Sequence, residues 1–152
     1  MRIVTRTGCI VAAAFLAGCA SMHNMAAGND HGEQVKLSGG NEVPPVSTQA
    51  SGSGMVTVGS DCSVQAKISV TGIKATAAHI HQGAAGSNGK VLVPFTKQGD
   101  DTFVAPEGAK LDEQGCADYK AGKTYVNVHS DAHKGGEIRA QLKGTGGSRG
   151  GA

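Results

Sequence analysis

The chain has no tryptophan, and aromatic residues make up only 3% of its 152 positions. A core organised around large rings is therefore excluded, as is the basic, aromatic-studded surface on which nucleic-acid bases stack. Charge is also scarce: Asp, Glu, Lys and Arg together reach 17%, with a formal net charge of +2. No block of like charge interrupts the sequence, so neither an acidic tail nor a polybasic patch is written into it. Long apolar runs are missing too. Ile10 to Ala17 is far shorter than the ~20 residues needed to cross a bilayer as a helix. Stretches with a 3.6-residue period are few, because glycine, 24 in number, or proline breaks most of them.

What is present begins with a targeting segment. Arg2 and Arg6 precede the short apolar run, which ends in Leu16-Ala17-Gly18-Cys19. These residues resemble the lipobox of bacterial lipoproteins, in which Cys19 would become the diacylated N-terminus of the mature protein. Ala20, rather than Asp, implies retention at the outer membrane. The alternative is an ordinary secretory peptide with an incidental cysteine. Residues 1–18 are thus expected to be a signal peptide and residues 19–33, small and polar, a flexible tether carrying His23 and His31. The expected location is the cell envelope, as a periplasmic lipoprotein held to a membrane by its lipid, with an envelope protein as a conceivable partner. Removing residues 1–18 takes away two of fourteen basic residues and none of twelve acidic ones, leaving 12 − 12 = 0. A neutral mature chain gives no reason to expect a nucleic-acid partner.

Export also governs the cysteines. Cys9 leaves with the signal and Cys19 carries lipid, so Cys62 and Cys116 remain in an oxidising compartment and are expected to form a disulfide. Free thiols acting as metal ligands are the other option, but neither cysteine has a ligand-spaced partner nearby.

Residues 34–143 read as one domain, followed by a glycine-rich tail at 144–152 too poor in apolar residues to order itself. Strand patterns fall at 54–58, 63–70, 77–81, 91–95, 102–104, 124–129 and 137–142. In the second of these Val64, Ala66, Ile68 and Val70 share a face. In the last, Ile138, Ala140 and Leu142 point inward while Glu137, Arg139 and Gln141 face solvent. Gly86-Ser87-Asn88-Gly89 marks a tight reversal, and residues 113–121 have the makings of a short helix. The expected fold is all-β: an antiparallel β-sandwich or small barrel with Greek-key-like connections.

Two histidine segments carry the chemistry. In Ala77-Ala78-His79-Ile80-His81 the imidazoles lie opposite Ala78 and Ile80. In Tyr125-Val126-Asn127-Val128-His129, Tyr125, Asn127 and His129 lie opposite Val126 and Val128. If the two strands are neighbours, His79, His81 and His129 converge on one outward surface, where three imidazoles could hold Cu or Zn and leave one position open. His133 lies past the strand end and is a fourth candidate, and Glu42 a carboxylate neighbour. The competing reading makes these histidines hydrogen-bond hubs for adjacent loops. No nucleophile elbow, phosphate loop or carboxylate pair stands out, so no catalytic residue is assigned and enzymatic activity stays open.

Four segments resemble the CHRD domain family, the repeats found in chordin and in single-domain bacterial envelope proteins. They are Leu37-Ser38-Gly39-Gly40-Asn41-Glu42-Val43-Pro44-Pro45, residues 78–86 around His79-Ile80-His81, Tyr125–Ser130, and Gly135-Gly136-Glu137-Ile138-Arg139-Ala140-Gln141-Leu142. The resemblance implies an all-β extracellular or periplasmic domain and singles out Glu42, His79, His81, Asn127, His129, Glu137 and Arg139. Glu137 and Arg139 are expected as a surface ion pair or loop anchor. The His79-Ile80-His81 strand is also similar to the copper strand of Cu/Zn superoxide dismutases, though no bridging histidine or zinc loop accompanies it.

Overall fold

The computed structural model describes residues 32–144. The signal segment, Cys19, His23 and His31, and the tail beyond Gly144 lie outside the described residues. Nine strands form one antiparallel sheet: β1 (Glu33–Ser38), β2 (Ser51–Val58), β3 (Val64–Thr71), β4 (Ala75–Gln82), β5 (Val91–Pro94), β6 (Thr96–Gln98), β7 (Thr102–Val104), β8 (Thr124–Ser130) and β9 (Ile138–Leu142). One helix, α1 (Glu113–Lys120), lies between β7 and β8. Its first turn is capped by Asp112, whose side chain accepts from the Gly115 amide at 2.6 Å.

The strand order is β5-β4-β8-β9-β1-β2-β3-β7-β6. The β8–β9 hairpin is inserted between β4 and β1, a Greek-key-like path that makes β4 and β8 neighbours although some forty residues separate them. The two ends of the order are nearly continuous in the chain, because only Phe95 separates β5 from β6. β5 pairs with β4 and β6 with β7, so one extended segment passes from one edge of the sheet to the other. The Phe95 amide still donates to the Ala78 carbonyl, and Lys97 Nζ to that of Ala75 (both 2.9 Å). The sheet is thereby a nearly closed barrel, which removes the long unpaired edges that an open nine-stranded sheet would expose.

Alternation fills the interior. Val56, Ile68, Val70, Ala78, Ile80, Phe103, Val126, Val128, Ile138 and Leu142 are all at most 1% exposed. Each valine, leucine or isoleucine among them stabilises the fold by about 1.5–3 kcal/mol relative to exposure. Two strands escape the sequence reading, β1 and β6. β1 alternates Val35 and Leu37 with polar residues but has only two apolar positions. β6 (Thr96-Lys97-Gln98) is exposed and carries no apolar signal. The reversal between β4 and β5 spans residues 83–90 and is not a two-residue turn at Asn88-Gly89, because both residues are engaged elsewhere.

Cys62 and Cys116 are disulfide-bonded, with Cα atoms 5.7 Å apart. The bond ties the turn before β3 to α1 and buries Cys116 among the core residues. Among the described residues no helix is long and apolar enough to cross a membrane. The bridge closes 54 residues, for which chain entropy predicts a stabilisation of about 4 kcal/mol. The Cys62→Ser/Cys116→Ser double variant should therefore unfold in urea with a stability lowered by about 2–4 kcal/mol; an unchanged midpoint would show that the bridge constrains nothing.

Candidate metal centre

The register of β4 against β8 sets the site. Ala77 lies opposite His129, His79 opposite Asn127, and His81 opposite Tyr125. On the far side of β8, Asn127 faces Arg139 and Tyr125 faces Gln141. Side chains of paired residues share a face, so all of these form one polar layer on the back of the aliphatic core. One nitrogen from each of His79, His81 and His129 lies within 4.8 Å of the others. Nitrogens bound at about 2.1 Å to one ion can be no more than about 4.2 Å apart, so the widest pair need close only by about half an ångström.

The tautomers follow from the hydrogen bonds. His81 Nδ1 donates to the Gly89 carbonyl at 3.0 Å, and His129 Nδ1 to that of Lys134 at 2.9 Å. Both rings therefore carry their lone pair on Nε2. His129 Nε2 accepts from His79 Nδ1 at 3.0 Å. For His79 to join His81 and His129 around one ion through Nδ1, its proton would have to sit on Nε2 instead, which would free the Nδ1 lone pair that now lies behind the hydrogen bond to His129. Burial is the first cause that keeps these imidazoles neutral. It pushes His79 down to about 4, with the neighbouring charges of His129 and His81 adding to it. His81 and His129 are lowered for the same reason, against the opposing pull of their carbonyl partners. Neutral rings are what a metal requires.

Only the histidine end of this layer keeps to the outward surface that alternation suggests, with His79 and His129 part-exposed; the rest is covered. Tyr125 is 3% exposed, Asn127 2% and Arg139 1%. The segments 39–48, 83–90 and 131–137 cover it. Arg139, expected in solvent, is stacked on Tyr125, its guanidinium carbon 3.4 Å from the ring centre. Tyr125 in turn stacks on His81, with ring planes 9° apart and centroids at 5.0 Å. The guanidinium donates to the Ala84 and Ser87 carbonyls, to Asn88 Oδ1 and to Gln141 Oε1 at 3.0–3.2 Å. It is a loop anchor and makes no ion pair with Glu137.

Glu137, also expected in solvent, is buried and accepts from Thr48 Oγ1 at 2.6 Å and from Ser130 Oγ. Burial opposes its ionisation, but those hydroxyls and the His133 charge outweigh it and hold the carboxyl below its ordinary range. Gln141, the third residue expected in solvent, is half-buried and donates to the carbonyls of Gly83, Gly122 and Thr124 at 2.9 Å. His133 does not join the three histidines. It lies in the 130–136 turn, where its amide donates to Ser130 Oγ and its carbonyl accepts from Gly136. Glu42 is 5% exposed and accepts from Asn127 Nδ2 at 2.6 Å. Its carboxyl is raised to about 7 by burial, which the Arg139 charge and the Val43 amide only partly counter. The carbonyls of Gly89 and Lys134, which aim two of the rings, had no signal in the sequence, because any residue supplies a carbonyl.

A family model for the CHRD domain matches residues 34–142, with all of these positions inside it. The chain belongs to the CHRD domain family. Comparison with curated proteins and with solved structures finds no match. The CHRD segments are the ones that build the polar layer: the Glu42 stretch and the 83–90 loop roof it, and the strand ends at His79–His81, Asn127–His129 and Arg139 form its floor.

The shifted groups give the CHRD domain a pH signature. The histidines are neutral when folded below their ordinary 6.5, while the unfolded chain takes up protons there. Their contribution is thus lost as pH falls from 6.5 towards the folded values. Glu42 acts oppositely: with its folded value near 7 against 4.5, acidification through this window favours the folded state. Urea unfolding of the metal-free protein should show a larger loss of stability between pH 6.5 and 5 in Glu42→Gln than in the parent. Equal losses would remove Glu42 from the balance.

Proposed function

We propose that this CHRD protein is a lipid-anchored cell-envelope domain that binds one transition-metal ion, copper in preference to zinc, through His79, His81 and His129. The observation that carries this reading is the convergence of three neutral imidazoles, one nitrogen from each within 4.8 Å of the others, two of them aimed by backbone carbonyls. Outer hydrogen bonds of this kind fix ring orientation and raise ligand basicity at metal sites. With nitrogen donors Cu²⁺ outranks Zn²⁺, and three protein ligands leave a position open. The envelope location is supported by the lipobox-like residues before Cys19 and by a disulfide suited to an oxidising compartment.

A second reading has a specific observation behind it. His79 bonds His129 directly, while His81 and His129 each hold a loop carbonyl, so the three rings also serve as a structural network within a non-enzymatic interaction module. A superoxide dismutase-like enzyme finds less support, because the three histidines are the single metal-capable group among the described residues and no second group bridges to them.

The two readings separate in a titration of tag-free protein in which Cys19→Ala prevents lipidation and His23→Ala and His31→Ala silence the tether. Calorimetry should show one Cu²⁺ per chain, and His81→Ala should lose more than the about 10–100-fold that outer-shell changes cause. Equal Cu²⁺ and Zn²⁺ affinity in the parent and in a variant with all three histidines changed to alanine, together with a lower melting temperature for His79→Ala, would leave only the structural network.

A further inference from the structure

Resting on the metal reading above, we infer that Asn127 and Glu42 form a receptor for a hydrogen-bond-donating molecule, water or hydroxide in the simplest case, bound at the open coordination position of the three-histidine site. Two buried side-chain atoms in the polar layer have no hydrogen-bond partner: His81 Nε2 and Asn127 Oδ1. Their residues are only 8% and 2% exposed. Both atoms are acceptors. His81 donates its proton to the Gly89 carbonyl, and Asn127 donates through Nδ2 to Glu42 Oε1, which leaves the amide oxygen as the free end. Two buried acceptors cannot satisfy each other; they call for a cation, an O–H, or both. A metal ion answers His81 Nε2, and water on that ion answers Asn127 Oδ1.

Register places the amide where this is achievable. Asn127 lies directly opposite His79 and two residues from His129 on the same face. Its neighbour on the other side, Arg139, has its guanidinium committed to Ala84, Ser87, Asn88 and Gln141 and does not reach the amide oxygen. The hydrogen bond to Glu42 orients the amide, and the 131–137 segment packs on the pair from above. Gly136, at φ +133°, leaves a gap in which a Cβ would fall 2.1 Å from Asn127 Nδ2 and 2.7 Å from Glu42 Oε1. Only a glycine lets the 131–137 segment lie on this pair.

The ligand class follows. An amide oxygen facing the open position favours molecules that bring a hydrogen, such as water, hydroxide or a hydroperoxide. It disfavours anions that bring only lone pairs, such as azide. The test uses the same chain, with Cys19→Ala, His23→Ala and His31→Ala, loaded with Cu²⁺. Electron paramagnetic resonance in ¹⁷O-enriched water should show a coordinated, exchangeable oxygen, and azide should bind weakly. Asn127→Leu should tighten azide by about tenfold, in line with the loss of one buried acceptor. Glu42→Leu, which frees the amide, should move azide affinity the same way and stands in if Asn127→Leu does not fold. Glu42→Gln, which keeps an acceptor for Nδ2, should behave as the parent. Stoichiometric copper without ¹⁷O coupling, or an azide affinity indifferent to these leucine variants, overturns this inference alone. Failure of the parent chain to take up copper overturns it together with the metal reading.

Discussion

A guanidinium enclosed on the polar side of a sheet must find a partner for almost every donor, because an unpaired buried charge costs several kcal/mol. Arg139, 1% exposed, meets that requirement with the Tyr125 ring and with acceptors taken mostly from residues 84–88. The 83–90 loop therefore has its path set by the charge beneath it. Asn88 carries the constraint onward by donating to the Val43 carbonyl, which brings the segment after β1 over the same face. Gly89, one residue further, presents its carbonyl to His81 and its amide to Tyr125 Oη. One buried cation thus determines a loop, the loop determines a carbonyl, and the carbonyl determines the tautomer of the His81 ring.

β8 is the strand on which both layers depend. Val126 and Val128 are fully buried in the barrel interior, while Tyr125, Asn127 and His129 project into the polar layer behind it. Burial on both faces is unusual for a strand in a small antiparallel fold, where one side normally meets water. The roofing segments make up the difference with polar contacts rather than apolar ones: Thr48 and Ser130 on Glu137, Asn127 on Glu42, Gln141 on three carbonyls. A network so nearly complete holds side chains in fixed rotamers, which is what a preorganised binding site needs. The disulfide supports it from the other end. It fixes α1, whose Asp118 accepts from Gln82 at the end of the His79–His81 strand.

Much of this is legible in the residues. Alternation in Val64–Val70, Ala78–His81 and Val126–His129 is sufficient to separate core from polar positions, and it puts His79, His81 and His129 on the polar side of their two strands. It misplaces Glu137, Arg139 and Gln141. Period-two patterning reports which side of a sheet a residue occupies, not whether another layer covers that side. His133 misleads for a related reason: four residues past His129 the chain has already turned, and its backbone is used to close that turn. Asn88-Gly89 has the composition of a tight hairpin, yet both residues are drawn away by Arg139, Val43 and His81.

The sequence by itself determined the strand content, the core faces, the cysteine pair available for bridging and the three imidazoles on one side of two strands, because each of these is a local consequence of residue type and spacing. Only the tertiary structure decided that β4 and β8 are neighbours, that the polar face is enclosed around Tyr125, Asn127 and Arg139, and that Glu42 meets them there. Those outcomes depend on a crossover joining distant strands and on where a buried charge finds its hydrogen bonds. Neither is encoded within any single segment.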